Sequence, residues 1–443
     1  MIANDYRRYN YTPYAYRTTN YGKTWKRIVN ADDVESYTLS IVEDPVSSNL
    51  LFLGTDDGLY YSVNAGEKWQ KMDPKVFPTV PTKDLVIHPR EHDLIIGTFG
   101  RAAWVLDDIR PLRALAEMPS IASRRAHLFN PSTAYLAAYQ QPTGSRFGAD
   151  AMYHGENRKS GAMFTYYYSP SEKEENSTKD ETTTEKAGKK KGDSLTLNIY
   201  DGERLIRTLK RKAPKKKGFH RWYWRMDEKG VQRPRRKMRT SKYEPSGATV
   251  LPGTYTAELS FNGESNKVAI EVKVDPRIST SEAGMKEQYQ TYKEVEALIE
   301  VSAKAVEQLG KSKSVLADYE KRIKTQDANK YKDLLKRCKE VSTQITGLVD
   351  LFLGKEDKRQ GIVRNPEPTV MARVYGASRY VNSRPAGITS TEKTLLKHAK
   401  DQTSNSLEKV NSFYQETWKD LQEEIEAIEL SSFEPVVTFE IKE

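Results

Sequence analysis

A multidomain β plus α protein is predicted, with a partial β-propeller of two to three blades, an immunoglobulin-like β-sandwich and a C-terminal helical bundle. Three observations predict it. An eight-residue turn motif occurs twice, 44 positions apart. Short strands of period two follow it as far as residue 275. Apolar stripes of helical period then continue to residue 430.

The motif reads Thr18-Thr19-Asn20-Tyr21-Gly22-Lys23-Thr24-Trp25 and again Ser62-Val63-Asn64-Ala65-Gly66-Glu67-Lys68-Trp69. Both copies fit Ser/Thr-x-Asn-x-Gly-x-x-Trp. Its chemistry is that of a tight hairpin turn. Asn hydrogen-bonds the backbone ahead of it and tolerates unusual φ. Gly supplies positive φ without a steric cost, and Trp folds back as a large apolar plug. Thr18, Asn20, Gly22, Thr24, Trp25, Ser62, Asn64, Gly66 and Trp69 are therefore read as structural residues and not as a site. The repeat extends beyond the turns. Leu50–Thr55 and Leu94–Thr98 are apolar strands whose Gly-Thr pairs stand 43 apart. Each is followed by a second strand, Leu59-Tyr60-Tyr61 in one and Ala103-Trp104-Val105-Leu106 in the other. Repeats of this length carry four strands each, and about four to eight of them close a ring. Residues 1–115 supply two to three, which would leave blade edges open. This part is expected to belong to a larger propeller or to be completed by a partner that brings the missing blades.

Residues 116–275 read as a sandwich. Strands are predicted at Ala162–Tyr168, Leu195–Tyr200, Phe219–Met226, Gly253–Leu259 and Lys267–Val272. Asp201-Gly202 and Asn262-Gly263 mark hairpin turns. An insertion at 169–193, rich in Glu, Lys, Thr and Ser and free of aromatics, is predicted to be disordered. Residues 276–430 read as helices. Val295, Leu298 and Ile299 lie on one stripe, Leu335, Cys338, Val341 and Ile345 on another, and Val410, Tyr414, Trp418, Leu421 and Ile425 on a third. Thr389-x-x-Glu392 is a capping box. Residues 431–443 are predicted to form a C-terminal strand through Val436, Val437, Phe439 and Ile441.

Composition excludes several classes. The chain has one cysteine, so no intramolecular disulfide and no cysteine metal cluster is possible, and its six histidines show no metal-ligand spacing. No metal and no cofactor is expected. No apolar run reaches the 18–20 or so residues of a membrane span, and the first residues lack the apolar core of a signal peptide. The formal charge of +10 is concentrated in Lys210–Lys217 and Arg233–Arg239. These runs read as solvated hairpin loops, so nucleic acid is not the expected partner.

The turn pattern resembles the Asp-box or BNR repeat, with Asn in place of the usual Asp. Further matches are Leu53–Tyr60, Asp84–Arg90, Gly97–Asp108, Leu251–Tyr255 and Val274–Arg277. Together they resemble the C-terminal part of bacterial secreted proteins with a sortilin-like BNR/Asp-box propeller, often labelled glycosyl hydrolases. The resemblance implies a propeller, an immunoglobulin-like domain and a helical tail. It also implies secretion or placement in the cell envelope, and a glycan or peptide ligand. Phe99 departs from it, standing where the family usually has His.

Two functions compete. A binding or assembly module for a protein or glycan ligand is favoured. The alternative is a glycoside hydrolase, which needs two carboxylates flanking the scissile bond. Asp56, Asp57, Arg101 and Asp107, with Asp108 beside it, lie near blade turns and are the candidate ligand contacts. No pair among them reads as acid and nucleophile, so no catalytic residue is assigned.

Overall fold

A computed structural model describes residues 1–137, 158–170, 194–237, 241–356, 368–383 and 387–428. The predicted C-terminal strand and nearly all of the predicted disordered insertion lie outside them. The described chain is mixed β plus α and divides into two compact units. One is Met1–Met226 with Pro252–Asp275. The other is Asp227–Leu251 with the described residues from Pro276 on.

The first unit opens with three antiparallel meanders. They are β1 (Ile2–Asp5), β2 (Asn10–Arg17) and β3 (Lys26–Arg27); β4 (Thr38–Glu43), β5 (Leu51–Thr55), β6 (Gly58–Ser62) and β7 (Gln70–Lys71); and β8 (Thr82–Ile87), β9 (Leu94–Thr98) and β10 (Ala103–Leu106). Their first strands are laced together. The Thr38 hydroxyl lies 3.0 Å from the Ala3 carbonyl oxygen and 2.9 Å from that of Tyr14, and Ser40 donates to Thr82 O at 3.1 Å. β5 is buried along its whole length, with both faces covered. This explains the glycine of its Gly-Thr pair. A Cβ on Gly54 would stand 2.5 Å from the Thr82 carbonyl, so only glycine lets β5 lie against β8. One core, formed by Ala15, Val29, Val34, Leu51, Leu53, Tyr60 and Trp69, joins the first two meanders. A second, including Phe52, Leu59, Leu85, Leu94 and Ile96, joins the next pair. The third meander has no box. A short helix, α1 (Arg110–Glu117), supplies Leu112 and Ala116 to that core, with Ile109 just before it.

Two further sheets complete this unit. One has the order β11 (Ala126–Leu128), β13 (Ala162–Tyr168), β16 (Gly218–Trp224). The other runs β12 (Ala134–Leu136), β20 (Glu264–Val274), β19 (Gly253–Phe261), β14 (Ser194–Asp201), β15 (Arg204–Lys212). Alternation decides what is buried: Leu195, Leu197 and Ile199 on β14, and Tyr255, Ala257, Leu259 and Phe261 on β19. Rings interlock between the sheets, Tyr168 on Phe261 at 5.5 Å and Trp224 on Tyr255 at 5.6 Å, both edge to face.

The second unit contains a small ribbon, β17 (Asp227–Lys229) and β18 (Ser246–Thr249), and the helices α2 (Glu282–Asp327), α3 (Lys332–Leu353), α4 (Val370–Val381), α5 (Ser390–Phe413) and α6 (Lys419–Glu426). A π-turn, Tyr414–Trp418, joins the last two. The stripes read from the sequence meet in one core that includes Val295, Ile299, Leu309, Cys338, Ile345, Val374, Ala399, Val410 and Ile425. The Thr389–Glu392 capping box is formed. The segment 227–251, which nothing in its sequence sets apart, is tied here by Glu228, which accepts from Tyr289 at 2.8 Å and from Lys293 at 3.2 Å. Burial pushes the Cys338 thiol up to about 11, so at neutral pH it is a packed, unreactive group.

Candidate functional site

The two turn motifs share their hydroxyl and amide-oxygen bonds. Thr18 Oγ1 donates to Asn20 Oδ1 at 3.1 Å, and Ser62 Oγ to Asn64 Oδ1 at 2.8 Å. The same hydroxyls accept from Gly22 N–H at 2.8 Å and Gly66 N–H at 2.9 Å. Asn20 Oδ1 accepts from Thr24 N–H at 2.9 Å, and Asn64 Oδ1 from Lys68 N–H at 3.0 Å. Tyr21 and Ala65 both take the left-handed conformation, at φ 54° and 58°. The asparagine amide oxygen thus closes each turn. The tryptophans differ. Trp69 is 4 % exposed and donates across to Ile28 O of the preceding meander at 2.7 Å. Trp25 is 46 % exposed and donates only to its own Gly22 O, at 3.1 Å.

Asp56 and Asp57 form the β5–β6 turn. Thr55 Oγ1 accepts from Asp57 N–H at 3.1 Å, and the Asp57 carboxylate is paired with Lys71. Lys71 also stands 3.7 Å from Glu35. Asp56 takes a different neighbour: its N–H donates to Tyr37 O at 3.3 Å, which sets its carboxylate beside the Tyr37 phenol. Among the described residues no cation pairs with it. Tyr37 is the floor of an aromatic cluster. Tyr6 stacks on it at 4.9 Å with 17° between the planes, and Tyr11 lies tilted at 6.0 Å. Tyr6 is 37 % and Tyr11 54 % exposed. The hairpin tip between them places Tyr9 in the left-handed region at φ 63°, a conformation that costs a non-glycine residue energy and sends this ring into solvent.

Burial, and secondly the bond to Asp56, raise the Tyr37 phenol to about 12. The neutral phenol is the form the fold prefers. Its stabilisation is complete below the ordinary tyrosine value near 10 and is lost as pH rises from there toward 12. The ring Cζ NMR signal that Tyr37→Phe removes is expected to stay unshifted at pH ~11, and to titrate earlier in Asp56→Asn. A Tyr37 signal that titrates near 10 in the unsubstituted chain would refute this.

Asp107 lies elsewhere. Leu106 pairs with Leu94, so Asp107 follows the end of β10 remote from the Phe99–Ala102 turn, whereas Asp56 and Asp57 sit at the Thr55–Gly58 end of their meander. Arg158 bridges Asp107 at 3.0 Å and Asp93 at 3.1 Å, and Arg221 stands 3.8 Å from Asp107. Beside them Asp108 binds Arg110 at 2.6 Å, and the buried pair Asp44–Arg113 closes at 2.7 Å. Arg113 also meets His92 Nδ1 at 3.0 Å. Arg101 is exposed in the β9–β10 turn, where its carbonyl accepts from Trp104 Nε1 at 2.9 Å.

Of the four candidate contacts, Asp56 and Asp57 are therefore brought together, while Asp107 is held in a separate ionic network. Tyr37 and Lys71 join the first pair without having been singled out in the sequence. Tyr37 reads there as an ordinary strand start, and Lys71 follows a box with no motif of its own. The Asp56-Asp57 pair is the signal in the sequence that points to this place. The basic runs are partly spent internally: Arg211 covers Trp222 at 5.3 Å, and Arg236 binds Asp350 at 2.6 Å. Among the described residues no helix is long and apolar enough to cross a membrane, and no cluster of potential metal ligands occurs.

Three consecutive antiparallel meanders, two of them carrying the same turn motif, are joined through their first strands, and this part of the chain is similar to a sortilin-like repeat protein. The Sortilin-Vps10 family model, described as sortilin, neurotensin receptor 3, matches residues 14–108, the stretch from the second half of β2 to just beyond β10 that holds both turn motifs. No curated protein and no solved structure matches the chain.

Proposed function

We propose that this chain is the C-terminal half of a secreted sortilin-like propeller protein and acts as a binding or assembly module for a protein or glycan ligand. In this reading the meanders are propeller blades held by structural Asp-box turns, the paired sheets are an immunoglobulin-like sandwich, and the helices are a supporting bundle. One observation carries it. Exposed tyrosine rings pack on Tyr37, whose carbonyl accepts from the N–H of Asp56, a carboxylate with no cationic partner among the described residues, while Asp57, Asp107 and Asp108 are each held by a cation. A surface of that kind offers stacking and hydrogen bonding. A glycoside hydrolase of the BNR class needs two available carboxylates about 5–9 Å apart, and the engagement of Asp57, Asp107 and Asp108 by cations favours the binding reading. No turnover of a panel of aryl glycosides and sialosides is expected. Turnover that Asp56→Asn or Asp107→Asn abolishes would establish the hydrolase instead.

A further inference from the structure

We propose that Tyr6, Tyr11 and Asp56 form a subsite for one hexose ring of a neutral oligosaccharide, an inference that rests on the binding reading above. The cluster offers ring faces rather than a pocket. Tyr37 stacks on one face of Tyr6 and the Arg7 guanidinium lies over its ring at 5.9 Å, so the half-exposed Tyr11 ring is the face open to a ligand. The apolar side chains strongly exposed between residues 5 and 12 are all tyrosines, with no aliphatic anchor among them. A pyranose has matching chemistry, with a C–H face that lies on an aromatic ring and a rim of hydroxyls. Asp56 supplies the rim's partner. A carboxylate accepts about four hydrogen bonds, and the Asp56 N–H bond to Tyr37 O fixes its backbone beside the ring cluster. The Arg7 guanidinium, 5.9 Å from the Tyr6 centroid, adds donors.

Charge selects against acidic sugars. Lys71 is already engaged by Asp57 and stands 3.7 Å from Glu35, and Asp56 adds a further negative charge, which disfavours a uronic or sialic acid. Backbone chemistry selects against a peptide strand. Strand addition needs a free row of N–H and C=O groups along an edge. At β1 that edge is engaged: the Thr38 hydroxyl lies 3.0 Å from Ala3 O, and Asn4 Nδ2 donates to Thr38 O at 3.1 Å.

The test is calorimetric titration of the full chain with cello-, malto-, xylo- and chito-hexaose. At least one is expected to bind, with affinity falling about tenfold or more in Tyr11→Ala and in Asp56→Asn. Tyr21→Ala, which removes a fully exposed ring outside the cluster, should leave it unchanged. Thermal unfolding of each variant confirms that the fold persists. Hexaose binding that the cluster variants do not weaken would overturn the subsite and leave the module reading intact. Binding of a random peptide library that Tyr11→Ala abolishes would overturn the glycan and keep the surface. If neither oligosaccharides nor peptides bind, the subsite and the module reading fall together.

Discussion

Trp69→Ala is expected to destabilise the chain by about 3–5 kcal/mol, and Trp25→Ala by less than about 1 kcal/mol, although the two residues occupy the same place in the same motif. The difference lies in what each indole touches. Trp69 is wedged into the core shared by the first two meanders, with Ala15, Val29, Val34, Leu51, Leu53 and Tyr60. Its removal opens a large cavity between elements that cannot collapse, because the strands on both sides are fixed by their ladders. It also strips the Ile28 carbonyl of a 2.7 Å partner. Gly66, on the same turn, reinforces this contact: a Cβ there would lie 3.0 Å from Ile28. Trp25 has no such neighbour, and its N–H closes back on its own turn. Trp69→Phe separates the contributions, since it keeps most of the bulk and loses only the donor, at about 1–2 kcal/mol. Urea unfolding of the three variants gives the comparison. Equal losses at the two tryptophans would mean that the turn, and not the packing between meanders, sets the value of this residue.

Arg113→Met is expected to cost about 3–5 kcal/mol, because it strands the Asp44 carboxylate in the interior. Both side chains are almost wholly buried, and they meet at 2.7 Å. Asp44 is fixed independently by the N–H groups of Val46 at 2.9 Å and Ser47 at 2.8 Å, so it cannot follow its lost partner out to water. In the double variant with Asp44→Asn the buried charge is gone and the amide oxygen still closes that turn. The double variant is therefore expected to recover part of the loss, which a mutant cycle over the four proteins measures. His92 gives a second readout. Burial, then the Arg113 and Arg110 charges, hold its pKa below the ordinary value. The stability from its neutral form is present above about pH 6.5 and is lost as pH falls through the folded value. Removing Arg113 lifts one of the depressing charges and should soften that acid sensitivity. A double variant no more stable than Arg113→Met would show that the stranded carboxylate is not the cause.

What could be read in the sequence was set by local chemistry. The boxes are legible because the hydroxyl and amide bonds that close them join residues at most four apart, and the helical stripes because a single helix carries each. The carboxylate turn at Asp56 and Asp57 shows for the same reason. What binds to it does not. Tyr37 reaches Asp56 through a fold-back of 19 positions, and nothing in the segment around it distinguishes it from a strand residue. Arg158 lies 51 positions beyond Asp107 and Arg113 lies 69 beyond Asp44, so their pairing depends on how meanders, helix and later chain are stacked. Arg101 shows the reverse limit. Its turn is legible, but sequence spacing cannot tell an exposed guanidinium from one aimed at a site.

The box hydrogen bonds have a kinetic consequence. Each turn is closed by its own hydroxyl and amide within four residues, so it has very low contact order and can form on the microsecond scale of a hairpin. The Asp44–Arg113 pair and the Trp69–Ile28 bond span 69 and 41 positions and must await docking of one meander on the next. The turns are thus prefabricated joints. They set the register of β2 against β3 and of β6 against β7 before the costly long-range closures begin, which shortens the interval in which unpaired strand edges are open to another chain.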